Sequence, residues 1–348
     1  MWGFTIGVAI KIKQSLHPNW VQTRLLVEVT GLEPAASASR TQRSTKLSHT
    51  SKVSAFCGNI VIIYNAVQKV NCFFCFWRKM FENEEKTMKL SPQMRTEITE
   101  KCEWHPEIHY LRETASTNTV LKQLAADGAK AGTVVFAEHQ TAGRGRVGRS
   151  FFSYEDGIYM SVLFRLCIAS ETALLLTTAA AVAVSQTADE VFGIKTAIKW
   201  VNDIYLDDKK VCGILSEGRV DAATPCESFV VVGIGVNVCP PKDGFPPEIR
   251  NRAGALTEKQ TADDEKTVAL LSGILNRLYR YAESLETKPF LAEYRDRSML
   301  TGKTVRYAQN DTVQTVQVLG IDDAARLIVL QNGREKHLCA GEVQLLNG

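Results

Sequence analysis

Histidine is scarce in this chain: six among 348 residues, scattered, and none placed like a catalytic base. No Ser–His–Asp arrangement is legible, which argues against a triad of that kind. The nine cysteines (57, 72, 75, 102, 167, 212, 226, 239 and 339) lack the spacing of a disulfide framework. Cys72-x-x-Cys75 has no second pair and no nearby histidine, so no metal site is expected. Cys167 and Cys212 fall in apolar runs and read as buried thiols, which suits a reducing compartment, the cytoplasm. Long apolar runs are missing as well. Residues 53–77 come nearest, but Asn59, Asn65, Gln68, Lys69 and Asn71 interrupt them. They make neither a bilayer span nor a signal peptide, so no membrane partner is expected. A large charge of one sign is also wanting. The formal net charge is +3, yet residues 1–87 carry 11 Lys/Arg against 5 Asp/Glu, a net of +6. The remainder, 30 against 33, is mildly acidic at −3, so no nucleic-acid surface is expected there.

What is present is concentrated in a few short stretches. Residues 140–152 (QTAGRGRVGRSFF) place three glycines and three arginines in one loop. The glycines free the backbone to bend and approach a ligand, and the arginines are forked donors suited to phosphate and carboxylate oxygens. Gly143-x-Gly145-x-x-Gly148 has the spacing of a dinucleotide-binding fingerprint. Gly143-x4-Gly148-Arg149-Ser150 nearly matches a phosphate-binding P-loop, with arginine where lysine is required. Both motifs need a helix after the loop, because the phosphate sits on its N-terminus. Here a strand is expected before the loop, at 133–137, and another after it, at 158–164. Both readings fail on that ground.

Residues 199–206 alternate like a strand, followed by the polar turn 207–210 and a return run 211–217, together a hairpin. It carries Lys199, Asn202, Asp203 and Lys210, while Lys209 reads as a solvated tip. Residues 229–238 are apolar enough for a buried strand whose Gly233 and Gly235 suggest close approach of backbone or ligand. Asn237 near its end needs a hydrogen-bond partner. Ser116-Thr117-Asn118 precedes helical spacing at Val120, Leu121, Leu124 and Ala125, with Ser116 a reasonable N-cap.

Together these residues resemble the catalytic domain of a biotin–protein ligase. The marks run in order: Ser116-Thr117-Asn118; Gln140 with the loop from Gly143 to Arg149; Lys199-Trp200-Val201-Asn202-Asp203; Lys210-Val211-Cys212-Gly213-Ile214-Leu215; and Gly233-Ile234-Gly235-Val236-Asn237. The resemblance covers roughly residues 108–346. Val201 departs from it, many members having proline there, and so does Val147, where a basic residue is common. The resemblance implies activation of biotin by ATP to biotinyl-5′-AMP, then transfer to a lysine of a biotin carboxyl carrier protein. ATP, biotin and Mg²⁺ are thus the expected cofactors, and pairing of the enzyme with a second copy is left open. It implies further that Ser116, Thr117, Asn118, Gln140, Arg144, Gly145, Arg146 and Lys210 face biotin. Arg146, Arg149, Lys199, Asn202 and Asn237 are implied to face the nucleotide, with Lys210, Asp203 and Arg146 catalytic. A lipoate or octanoyl ligase of related fold, or a biotin-sensing repressor, are the alternatives. The repressor would need a DNA-reading helix before residue 108, and none is legible.

The expected architecture is mixed α/β. Helices at 171–192 and 264–285 would cover one face of a mostly antiparallel sheet. The resemblance adds that such a domain is akin to the class II aminoacyl-tRNA synthetase core. After Gly302, short strands at 304–308, 313–319, 326–330, 335–339 and 343–346 suit a small SH3-like β-barrel. The expected divisions are 1–87, 88–298 (catalytic) and 299–348 (SH3-like). Residues 1–87 read differently from the rest, and translation from upstream of a true start at Met80 or Met88 is one expectation for them.

Overall fold

The computed structural model describes residues 9–14, 25–30, 90–165, 171–219, 228–259, 261, 263–309 and 312–345. The expectations for residues 53–77, for Met80 and Met88, and for Cys57, Cys72, Cys75, Cys167 and Cys226 lie outside the described residues. The chain divides into two compact units, Met1–Val67 and Gln68–Gly348. The first contains an antiparallel pair, β1 (Ala9–Gln14) and β2 (Leu25–Thr30).

The second unit opens with α1 (Pro92–Lys101), whose Ser91 Oγ accepts from the Met94 amide while Pro92 occupies the first turn. This helix was not anticipated, although a serine cap followed by proline is its ordinary signature. Then follow β3 (Ile108–Thr114), α2 (Thr117–Ala126), β4 (Val134–Gln140), β5 (Gly157–Phe164), α3 (Glu171–Phe192), β6 (Ala197–Lys199), β7 (Asp203–Leu206), β8 (Lys209–Arg219), β9 (Phe229–Asn237), α4 (Asp264–Glu283) and α5 (Leu291–Asp296). Seven strands form one sheet in the order β3-β4-β5-β9-β8-β7-β6, antiparallel except for the β3–β4 pair. As expected, α3 and α4 cover one face. Ile158, Met160, Val162 and Phe164 of β5 point into that core, with Val232, Ile234 and Val236 of β9. The alternate residues Leu163, Val231 and Phe229 meet Leu121 and Ala125 of α2 on the opposite face. The period-2 alternation of each strand thus divides its residues between two layers. The α2 face of the sheet carries the site.

The last segment folds as a second antiparallel sheet: β10 (Thr304–Gln309), β11 (Thr312–Ile321), β12 (Leu327–Gln331), β13 (Arg334–Leu338) and β14 (Glu342–Leu345), ordered β13-β12-β11-β10-β14. Each lies within about two residues of its expected bounds.

One expectation is corrected. Residues 199–206 are not a continuous strand: Lys199 ends β6, Asp203 starts β7, and the two pair across a turn at Trp200–Asn202. A strand would alternate its faces, yet Trp200 and Val201 are both buried in succession. Tertiary partners hold the turn: the Trp200 indole N–H donates to the Ala325 carbonyl (3.0 Å), and the Tyr294 hydroxyl donates to the Val201 carbonyl (3.0 Å). The following turn is only Asp207–Asp208, both at positive φ, so Lys209 and Lys210 already belong to β8.

Candidate active site

A cleft of about 140 Å³ lies on the α2 face of the sheet, and nearly every motif flagged in the sequence lines it. Its floor is the glycine-bearing stretch of β8 and β9. A Cβ on Gly233 would stand 2.2 Å from the Asn118 Oδ1, so glycine there lets α2 lie against the sheet. Added Cβ atoms at Gly235 and Gly213 would meet the Phe151 ring at 2.8 and 2.9 Å. The aromatic ring at the foot of the arginine loop therefore seats in a groove that only glycines leave open.

The arginine loop runs from β4 through a single 3-10 turn at Arg146–Gly148 toward β5. No α-helix leaves it, which disposes of the dinucleotide and P-loop readings. It folds back on itself, the Gly145 amide donating to the Arg149 carbonyl (2.7 Å) and the Phe151 amide to the Gly143 carbonyl (2.9 Å). The result is a short flap over the cleft.

Around the α2 end of the cleft the polar groups are ordered by one another. Gln140 Oε1 accepts from the Thr117 amide (2.9 Å) and hydroxyl (3.2 Å), which fixes its side chain. Ser161 Oγ lies 2.8 Å from Thr117 Oγ1 and 2.6 Å from Asn118 Oδ1. The Asn118 NH₂ donates to the Leu215 carbonyl (3.1 Å) and to Glu217 (2.9 Å), so most of its hydrogen-bonding capacity serves the scaffold. Ser116 stands at the N-cap position, but its side chain makes no capping bond. Instead Ser116 is buried and lines the cleft. Capping, the ordinary explanation of that residue, does not hold here.

Across the cleft, the Trp200–Asn202 turn presents Lys199, Asn202 and Asp203. Lys210 Nζ lies 2.7 Å from Asp203 Oδ1, both side chains being part-exposed. A β-bulge brings them together: Ile204 pairs with Cys212, but Tyr205 pairs with Lys210, leaving Val211 as the extra residue. Without it Lys210 would share the core-facing side of Cys212; with it Lys210 joins the face of Asp203 and Gly213. Arg146 donates from Nη1 to Asn202 Oδ1 (3.2 Å) and from Nη2 to the Gly341 carbonyl (3.2 Å), and Arg149 forms an ion pair with Glu342. Burial draws the Arg146 guanidinium below its ordinary value, with Asp203 opposing. Burial likewise lowers Lys199, with Asp203 raising it and Lys210 and Arg149 lowering it further. Lys199, its ammonium 5.8 Å from the centre of the Tyr205 ring, and Arg146 are the cleft cations without a carboxylate ion pair among the described residues.

Asn237 is the one candidate binding or catalytic residue that does not line the cleft. It is buried, its NH₂ donates to the Gly254 carbonyl (2.9 Å), and its Oδ1 has no partner among the described residues. Conversely, Gly341, Glu342 and Val343 of the C-terminal sheet do line it. Nothing in their sequence signals this, because the contact joins residues nearly two hundred positions apart. Phe151 was foreshadowed only indirectly, by the glycines that receive it. Among the described residues no group of three or more His, Cys, Asp or Glu is placed to hold a metal ion.

The Biotin/lipoate A/B protein ligase family matches residues 110–237, which span α2, the flap and the floor of the cleft. The bifunctional ligase/repressor BirA of Bacillus subtilis (strain 168) is 32% identical over 234 residues, 66% of this chain and 71% of that protein. The biotin–[acetyl-CoA-carboxylase] ligase of Mycobacterium tuberculosis (strain ATCC 25618 / H37Rv) is 33% identical over 246 residues, 68% of this chain and 88% of its own. Among solved structures, the biotin protein ligase from Aquifex aeolicus in complex with biotin and ATP has a TM-score of 0.57 at 28% identity. That likeness covers 70% of this chain and 99% of the other, and so includes the C-terminal sheet as well as the class II synthetase-like catalytic fold. With its flap, its glycine floor and its paired lysine and aspartate held on that common framework, the chain belongs to the Biotin/lipoate A/B protein ligase family, among the biotin–protein ligases.

Proposed function

We propose that this chain is an ATP-dependent biotin–protein ligase acting on a biotin carboxyl carrier protein, in two steps within one cleft. In the first, biotin's carboxylate attacks the α-phosphorus of ATP, forming biotinyl-5′-AMP and releasing pyrophosphate. In the second, the ε-amine of a carrier lysine attacks the acyl carbon, forming an amide and releasing AMP and a proton. The carrying observation is the convergence of Arg146 and Arg149 with Lys199 and the Lys210–Asp203 pair on one side of the cleft. Two anionic reactants can meet only where cations offset their repulsion.

In this reading Ser116, Thr117, Asn118, Gln140, Arg144 and Gly145 make the biotin end. Thr117 holds Gln140 through its carbonyl, which leaves the Gln140 NH₂ for a ligand acceptor. Arg146, Arg149, Lys199 and Asn202 face the nucleotide phosphates, and Asn237 stands beyond Gly235 on the same side of β9, outside the cleft lining. Lys210 spans carboxylate and phosphate oxygens. Once Lys210 turns to the ligand, Asp203 is released to orient the incoming amine and accept its proton. Magnesium would be held, together with the ATP phosphates, by the side-chain oxygens of Asn202 and Asp203, and would supply charge neutralisation to the pyrophosphate leaving group. The closed flap keeps water from the anhydride.

The test is ATP-dependent transfer of labelled biotin to a purified carrier domain, with pyrophosphate release followed in parallel. Labelled lipoate serves as the competitor. Pyrophosphate formation that depends on lipoate and not biotin would overturn the reading.

A further inference from the structure

Glu217, on β8, is absent from the residues that the sequence motifs single out, yet three side chains from two elements converge on it. Its Oε1 is 3.0 Å from Lys122 Nζ and 2.8 Å from Arg144 Nη2, and its Oε2 accepts from Asn118 Nδ2 at 2.9 Å. Asn118 and Lys122 are successive-turn neighbours on α2, whereas Arg144 stands near the beginning of the flap. Glu217 is 18% exposed in its side chain and Arg144 47%, so the carboxylate is the fixed member and the arginine the movable one. Burial alone would raise the Glu217 carboxyl, but hydrogen bonds from Asn118 and Lys122 and the charges of Lys122 and Arg144 outweigh it and hold it below the usual range. It therefore stays ionised at neutral pH.

We propose that Glu217 is a positioning residue that latches the flap, through Arg144, onto α2, and so sets how long the flap stays closed over its ligand. Glu217 does not line the cleft and touches no ligand in this scheme. Its carboxylate supplies the acceptor that keeps Arg144 facing the α2 end, where Asn118 and Thr117 are already immobilised. The flap's other arginines are held elsewhere, Arg146 by Asn202 and Gly341 and Arg149 by Glu342. The Glu217–Arg144 contact is thus the side-chain tie of the flap's leading arm, beside the backbone bonds from Thr141 and Ala142 to Thr114 and Ala115, and its loss loosens the arm beyond them. The inference rests on the ligase reading for what the flap retains, and not for the latch itself.

Two readouts separate the parts. Limited trypsin digestion of the ligand-free enzyme reports flap opening through cleavage after Arg144, Arg146 and Arg149. Glu217→Gln should be cut at these sites roughly three to ten times faster than wild type, the scale of one charge-assisted bond of partial exposure. Lys122→Gln, which removes the other cation but not the flap tie, should be cut at close to the wild-type rate. Should Glu217→Gln prove unstable by circular dichroism, Arg144→Gln carries the test. It is half-exposed and outside the core, and cleavage after Arg146 and Arg149 must accelerate in it too. In the second readout, escape of preformed biotinyl-adenylate should accelerate by a similar factor in Glu217→Gln. The Arg144→Gln/Glu217→Gln double variant should be no leakier than the worse single one. Wild-type enzyme that makes no adenylate sinks the ligase reading and leaves the trypsin result standing. Equal trypsin rates in wild type and the Arg144 and Glu217 variants, or fully additive leakage, sink the latch.

Discussion

Replacing Arg146 should leave the fold intact and let the activated intermediate escape. Arg146 spans the Trp200–Asn202 turn and the C-terminal sheet through two bonds of 3.2 Å, to Asn202 Oδ1 and the Gly341 carbonyl. Both are at the long end of the range and both acceptors are uncharged, so each adds only about 0.5–1.5 kcal/mol to stability. Both acceptors line an open cleft where water can replace the guanidinium. Together the two bonds are worth about 1–3 kcal/mol before water is counted, so a net loss of about 1 kcal/mol should lower the melting temperature by about 2–4 °C. Toward the ligand the balance differs, because a guanidinium-to-phosphate bond is worth about 1.5–3 kcal/mol. Arg146→Ala should then release biotinyl-adenylate roughly 10 to 150 times faster than wild type. Arg146→Gly, next to Gly145, adds backbone freedom worth about 0.5–1 kcal/mol and so should leak a further two- to fivefold. The assay forms the complex from labelled biotin and ATP, adds excess unlabelled biotin, and follows label leaving the protein by rapid gel filtration. An alanine variant with wild-type half-life would refute the assigned role. A loss of melting temperature beyond about 10 °C would mean that Arg146 serves the fold rather than the ligand.

Lys199 titrates below a free lysine because it is buried and faces Lys210 and Arg149. Its charge, and with it nucleotide affinity, should fade as pH rises through that lowered value, whereas folding stability should rise over the same interval because the unfolded chain binds the extra proton. Lys199→Arg should move the alkaline limb of the KM for ATP upward, and coincident limbs would reject the role. In Gly233→Ala, the new methyl must displace Asn118 from a 2.2 Å contact, which should cost about 1–3 kcal/mol in urea unfolding. A change under about 0.5 kcal/mol would show that α2 shifts freely. Burial would raise the Asp322 carboxyl, but bonds from His337, Arg326 and Ala324 prevail and push it down to about 2. Its stabilisation is present above the ordinary carboxylate range and is lost as pH falls toward 2, about 1–2 kcal/mol allowing for exposure of its partners. Asp322→Asn should lack that acid-side loss, measured as the unfolding midpoint against pH.

The residues that line the cleft were legible because a binding cleft restricts residue type. A cationic loop over the cleft shows as Arg144, Arg146 and Arg149 among glycines, and a floor that must admit a ring shows as Gly213 and Gly235. Most strands and both long helices were legible for a similar reason, since alternation and helical spacing are imposed locally by which side faces the core. Three things were not local. The Lys199–Asp203 segment looks like a strand by its own pattern, and becomes a turn only because Tyr294 and Ala325 satisfy it from elements far along the chain. Lys210 reaches Asp203 because a bulge at Val211 reverses its face, a choice settled by pairing with β7 rather than by neighbouring residues. Ser116 reads as a helix cap because its flanks suit one, yet its side chain makes no capping bond and the residue lines the cleft. The ion pair of Arg149 with Glu342 belongs to the same class. Residue type records what a position must do, whereas its partner is fixed only once distant segments have paid their entropy and packed.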